Sequence, residues 1–290
     1  MTATLLPPTR PKASPGGRFA IPRLPRRLVA RPRVVGELHR AVGSGIIAVV
    51  APPGYGKTTA VAMSLEELDF EPRWLTLDAT ARAPEAFAHQ VGAALARNVL
   101  APPPPTALKL SDLQAYVSAA VYDAAAAYER PLLLVIDNVH EIAESHESLQ
   151  LLGWLIDAMQ GGHELVLCGR EMPFVPALNE RLATGDIAIV GREALAFDVE
   201  EISAAVSAMG ASADARHVLE QTAGWPVGVM ATLAGDAVAG VTAADFDRYL
   251  AAEVWERVPP ELRGILHRLS LWPSNGRRSS SSSGSARGAS

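Results

Sequence analysis

Ile46-Ile-Ala-Val-Val50, running into Ala51-Pro-Pro-Gly-Tyr-Gly56-Lys57-Thr58-Thr59, is the stretch on which the reading of this chain turns. The first five residues are a short β-branched apolar run, the pattern of a buried strand. Pro52 to Gly56 form a turn, and a helical pattern follows from Lys57 to about Leu68. Strand, glycine-rich turn and helix in this order, with Lys-Thr opening the helix, is the P-loop arrangement, with Ala51 in place of its first glycine. Gly54 and Gly56 let the backbone curl so that its N–H groups face phosphate oxygens, and the helix offers its positive dipole end to the same anion. Pro53, Gly54, Tyr55, Gly56, Lys57, Thr58 and Thr59 are therefore the nucleotide-binding candidates. Lys57 would bridge the β- and γ-phosphates, and the Thr58 hydroxyl would complete the coordination of Mg²⁺.

A P-loop needs a carboxylate on the metal side. Leu132-Leu-Leu-Val-Ile-Asp137 is an apolar run ending in an acid, which a buried strand would carry to the carboxyl edge of the sheet beside the loop. Thr58 and Asp137 are the predicted metal-side residues. Asn138 follows, and an amide cannot serve as the base for an attacking water. The run at Leu165–Cys168 ends in Gly169-Arg170. Arg170 either senses the γ-phosphate, joining Lys57 and Asp137 as catalytic residues, or is an exposed arginine opening the loop before Pro173. No Asn-Lys-x-Asp guanine-reading motif occurs, which favours ATP over GTP.

The remaining pattern supplies the rest of an α/β fold. Further strands are predicted at Arg73–Asp78, Glu164–Cys168 and Ile187–Val190, and helices at about 84–99, 111–128 and 147–159. Strands alternating with helices give a P-loop NTPase with a five-stranded, mainly parallel sheet. Four prolines at Pro102–Pro105 demand a loop. From about Val199 the strand signals stop, and helical patterns appear at 199–209, 213–223, 227–235, 245–257 and 260–271. The expected domains are thus a disordered leader at 1–20, the NTPase at 21–197, an all-helical region at 198–273 and a disordered Ser-rich tail at 274–290.

Composition bounds the function. Among 290 residues 49% are hydrophobic and 20% charged, an ordinary globular balance, and the net charge is −5. Ahead of Glu37 lie eight basic residues and no acid, so that segment carries +8 against −13 in the remainder. Such a segment could contact nucleic acid, dock on the acidic body or line a nucleotide pocket. Cys168 is the sole cysteine, which excludes an internal disulfide and a thiolate metal cluster. His140-Glu-Ile-Ala-Glu-Ser-His146 only superficially resembles a zinc helix, because Glu144 stands where the second histidine is needed. The N-terminus has no apolar signal region and no stretch is apolar enough to span a bilayer, so a cytoplasmic protein is expected.

Several blocks, in order, resemble the nucleotide-binding module of the MalT-type, large ATP-binding LuxR-family regulators, a branch of the STAND NTPases. They are Leu24–Arg33, Val50–Thr59, Trp74–Asp78, Leu134–His140, Gly169–Pro173, Leu195–Phe197, Thr222–Gly228 and Tyr249–Val254. The resemblance implies an ATP/ADP signalling switch in transcription regulation, closed and resting with ADP, opening and self-associating with ATP, and reset by slow hydrolysis. It also implies that Arg31, within Arg27–Arg33, lies near the adenine, that Arg170 is the sensor arginine, and that Pro226 touches the nucleotide from the helical region. The family usually ends its metal-side strand with two acids, whereas here the second is Asn138, which bears on hydrolysis and not on binding. Its members continue into a winged-helix region, a helical-repeat sensor and a helix-turn-helix. The last two have no counterpart in this sequence, which reads as truncated before them, without a visible DNA-binding domain. The alternatives are an ordinary ATPase that turns over to do work, or a nucleotide-binding or interaction module without regulatory output.

Overall fold

The computed structural model describes residues 17–24, 28–96 and 109–236. The leader before residue 17, the proline run, the helical patterns beyond residue 244 and the Ser-rich tail lie outside the described residues. Five parallel strands form the sheet: β1 (Ile46–Val50), β2 (Glu71–Thr76), β3 (Leu132–Asp137), β4 (Glu164–Gly169) and β5 (Ala188–Val190), in the order β2-β3-β4-β1-β5. The strand bearing the metal-side acid is therefore not beside the P-loop strand, because β4 runs between them.

β3 and β4 are buried along their whole length, which is why they read as continuous apolar runs rather than as alternation. Alternate side chains still divide between two cores. Leu133, Val135, Val166 and Cys168 pack with α1 (Pro32–Ala41) and α2 (Lys57–Ser64) on one face. Leu132, Leu134, Ile136 and Leu167 pack on the other face with α3 (Pro84–Leu95), α4 (Leu110–Ala127), α5 (His146–Ala158) and α6 (Pro176–Thr184).

Two of the differences from the expected boundaries have a local reason. β2 ends at Thr76 and not at Asp78, because the Asp78 carboxylate accepts the Thr80 N–H at 3.0 Å and starts a 3-10 turn. Residues 17–20, assigned to the leader, belong to the fold. Thr76 N–H donates to the Arg18 carbonyl at 2.8 Å, and Arg18 pairs with Asp78 at 2.7 Å.

After β5 and the short α7 (Arg192–Leu195) come α8 (Val199–Met209), α9 (Ala215–Thr222) and α10 (Pro226–Asp236). Each start is written in sequence. Asp198 and Glu201 form a reciprocal capping box on α8, Asp214 caps α9, and Pro226 opens α10, where its missing N–H costs nothing. These helices share an apolar cluster of their own, with Phe197, Ile202, Ala205, Val218, Val229 and Leu233, which Val29 joins from the N-terminal side.

Candidate nucleotide site

The P-loop leaves β1 at the carboxyl edge of the sheet. Gly54 and Gly56 take φ of +80° and +75°, the left-handed region that glycine enters at no cost, and Gly56 caps α2. This turn directs the start of α2, with Lys57 and Thr58 as its first residues, at the same edge as the end of β3. Thr58 Oγ1 donates to Asp137 Oδ2 at 2.7 Å, and Asp137 Oδ1 accepts the Asn138 N–H at 2.9 Å. Lys57 Nζ donates to the carbonyls of Ala51 at 2.7 Å and Pro52 at 3.2 Å. Of the sequence-derived set, the structure thus brings Thr58 and Asp137 into direct contact, with Lys57 folded on the loop beside them.

Both charged groups are held away from their ordinary titration. Burial pushes the Asp137 carboxyl up, against the Thr58 hydroxyl and the Asn138 N–H, which favour the carboxylate. Burial likewise pushes the Lys57 ammonium down.

The remaining candidates are placed by the elements that carry them. Arg170 follows β4, whose Gly169 lies in register with Val50 of β1, so its backbone lies at the P-loop edge. A Cβ on Gly169 would stand 2.8 Å from the Glu171 carbonyl and 2.9 Å from Val139, so the turn that presents Arg170 needs glycine. Tyr55 and Thr59 are half-buried, Tyr55 against the α1–α2 core. Pro226 sits between two residues that clasp the loop directly. Trp225 Nε1 donates to the Pro53 carbonyl at 3.1 Å, and Val227 N–H donates to the Gly54 carbonyl at 3.2 Å. A Cβ on Gly54 would come within 2.8 Å of the Trp225 indole nitrogen. Arg31, which the resemblance sets near the adenine, has its guanidinium buried on Glu201 and on the carbonyls of Leu195 and Ala196.

Sequence reasoning did not reach the Trp225 indole as a donor to the loop, nor Glu201 as the partner of Arg31. The Asp198–Glu201 spacing was a readable capping signal; its link to Arg31, 170 positions away, was not.

The donor set fits a P-loop nucleotide with its cation. Thr58 Oγ1 and Asp137 Oδ2 are hard oxygens of the kind that Mg²⁺ prefers, and the glycine turn leaves backbone N–H groups for phosphate. Among the described residues no group of three or more His, Cys, Asp and Glu side chains could hold a metal ion, so a cation here would take its further ligands from phosphate and water. His140 and His146 form no such group either.

Residues 40–175 match the family described as an AAA domain. The HTH-type transcriptional regulator MalT of Vibrio cholerae is 27% identical, over 84% of this chain and 29% of its own length. The chain carries a MalT-like nucleotide-binding module. The MalT of Serratia proteamaculans is likewise 27% identical with the same coverage, so the chain spans about 29% of the length of the curated relatives it matches. A STAND protein with a tetratricopeptide repeat sensor from Pyrococcus horikoshii is a solved structure with a TM-score of 0.47 and 17% identity, covering 84% of this chain and 35% of that one. No helix among the described residues is long and apolar enough to cross a membrane.

Proposed function

We propose that this chain is an ATP/ADP-binding switch module of a STAND-type, LuxR-family transcriptional regulator, that it holds its nucleotide with Mg²⁺, and that it hydrolyses ATP slowly. The observation that carries the reading is the Thr58–Asp137 pair at the mouth of the P-loop, followed by an amide, Asn138, where a general base would stand. Lys57 would neutralise the phosphates, Thr58 and Asp137 would hold the cation, and the cation would supply charge neutralisation at the β- and γ-phosphates. On this reading Arg170 is the γ-phosphate sensor, and the helical region from residue 198 is a lid whose Trp225-Pro226-Val227 segment closes on the loop. The separate apolar cluster of α8–α10 supports treating it as a domain of its own. Self-association in the ATP state and a cytoplasmic location belong to the same proposal.

Single- and multiple-turnover ATP hydrolysis by the purified chain tests it. We expect tightly held nucleotide and turnover far below the ~10 s⁻¹ of a typical enzyme. Asn138→Asp should raise the rate. Asn138 sits at φ 60°, a conformation that aspartate also adopts, so the substitution brings a base without a backbone penalty. Brisk multiple turnover by the unmodified chain would instead mean a working ATPase.

A further inference from the structure

Two arginines at the start of α1, Arg31 just before it and Arg33 in its first turn, converge on one carboxylate at the start of α8. Arg31 donates from Nε to Glu201 Oε1 at 3.3 Å and from Nη2 to Oε2 at 3.1 Å. Arg33 donates from Nη2 to the same Oε2 at 3.0 Å, and its Nε lies 3.1 Å from Asp198 Oδ2. Glu201 Oε2 also accepts the Asp198 N–H at 3.2 Å. The guanidinium groups also donate to the end of α7 and the residue after it, at the carbonyls of Ala194, Leu195 and Ala196. Arg31 further stacks 4.3 Å above the Phe197 ring. The side chains of Arg31 and Glu201 are only 8% and 7% exposed.

This cluster is continuous with the P-loop. Phe197 N–H donates to the Gly224 carbonyl at 2.8 Å, and Gly224 is packed so closely on Phe197 that a Cβ would overlap the Phe197 carbonyl oxygen. The next residue is Trp225, whose indole N–H holds the Pro53 carbonyl. A buried carboxylate shared by two arginines is costly to disturb, because removing it leaves a buried guanidinium without its counter-ion. The segment at 194–197, where α7 ends and the chain runs on to α8, is the one that would give way.

We propose that Glu201 is a positioning residue for the nucleotide site. By gathering Arg31 and Arg33 it sets the Phe197–Gly224 contact, and through it seats the Trp225 indole on the Pro53 carbonyl, which holds the P-loop in its phosphate-receiving shape. The hydrogen bonds of Arg31 and Arg33 go to Glu201 and to the carbonyls of Ala194, Leu195 and Ala196 and not to the P-loop, so the cluster acts through Trp225. The inference rests on the reading of the P-loop as a nucleotide site.

The test uses the full chain labelled with 5-fluorotryptophan, whose five tryptophans include Trp225, assigned by its loss in Trp225→Phe. In Glu201→Gln the Trp225 fluorine resonance should move while that of Trp74, buried in the α1–α2 core, stays in place. ADP affinity by calorimetry should fall about fivefold or more, as it should in Trp225→Phe. The double variant should bind no more weakly than the weaker single one, since both act on one contact. Arg33→Gln, at a half-buried position, removes one arm of the cluster and should move the same resonance if Glu201→Gln fails to fold. An unmoved Trp225 resonance in the folded variants, or losses that multiply in the double variant, would overturn the proposal. If Lys57→Ala binds ADP as the unmodified chain does, the nucleotide reading itself fails, and the Trp225 resonance alone then decides whether Glu201 seats the indole.

Discussion

Asp137 is 3% exposed and is held by one hydroxyl and one backbone N–H, which do not replace the water it gives up. Its pKa is raised, so the folded chain binds this proton more tightly than the unfolded chain does. Stability therefore falls as pH rises from the ordinary carboxylate value through the raised one, and at neutral pH the ionised group is a net cost. Asp137→Asn removes that cost while keeping the size of the side chain. The ligand-free variant should melt higher by roughly 2–4 °C per kcal/mol recovered, with a flatter pH profile over the acid range. It should also lose affinity for ATP with Mg²⁺, since an amide is a poor ligand for a hard cation. Calorimetric melting across pH, with and without nucleotide, checks both arms; a lower melting point without ligand would show that the Thr58 contact outweighs burial. Lys57 is shifted down by the same cause, so replacing it should not destabilise the ligand-free chain, whereas nucleotide binding should be abolished.

At the level of elements, the turn between α9 and α10 is the most constrained piece of backbone near the loop. Gly224 has φ +73° and no room for a Cβ against Phe197, while Gly210, which ends α8 at φ +66°, faces open space. Gly210→Ala should cost about 1 kcal/mol, the strain of a left-handed alanine. Gly224→Ala adds overlap with backbone that cannot rotate away, and should cost several times as much; denaturant melts of the two variants side by side give the comparison. Elements differ in how far they could be read in advance, and the reasons are physical. β1 and β3 were readable to the residue, because strands buried on both faces must be unbroken apolar runs, the first running into the Ala51-Pro52-Pro53 turn and the second ending in Asp137. α1 and α6 were not predicted: Pro32–Ala41 does space its buried Val34, Leu38 and Ala41 at i, i+4 and i+7, a helical signal passed over inside the basic segment, whereas Pro176–Thr184 buries only Leu178 and carries no strong apolar period. That Lys57, Thr58 and Asp137 lie together at one edge of the sheet could be anticipated, because a strand, a glycine turn and a helix fix where each of them falls. The partnership of Arg31 with Glu201 could not, since only the folding of the helical region onto the N-terminal segment creates it.

Across the whole molecule, the sheet seals its centre from both sides, and Cys168 lies at that centre. It is fully buried in β4, paired in register with Val49 of β1 and one residue from Leu167, which pairs with β3. Burial also pushes its thiol pKa far up, so the reactive thiolate is suppressed as well as hidden. A thiol reagent can reach it only when the sheet opens, which makes its labelling rate a reporter of that opening. Nucleotide bound to the folded form alone stabilises it by about 2.7 kcal/mol at a concentration one hundred times Kd. Labelling of Cys168 through global opening should then slow about 100-fold with saturating ADP and Mg²⁺, and Lys57→Ala should lose that protection while labelling no faster than the unmodified chain without ligand. Fast labelling that ignores nucleotide would mean that β4 opens independently of the P-loop, and the coupling between the sheet and the site would have to be abandoned.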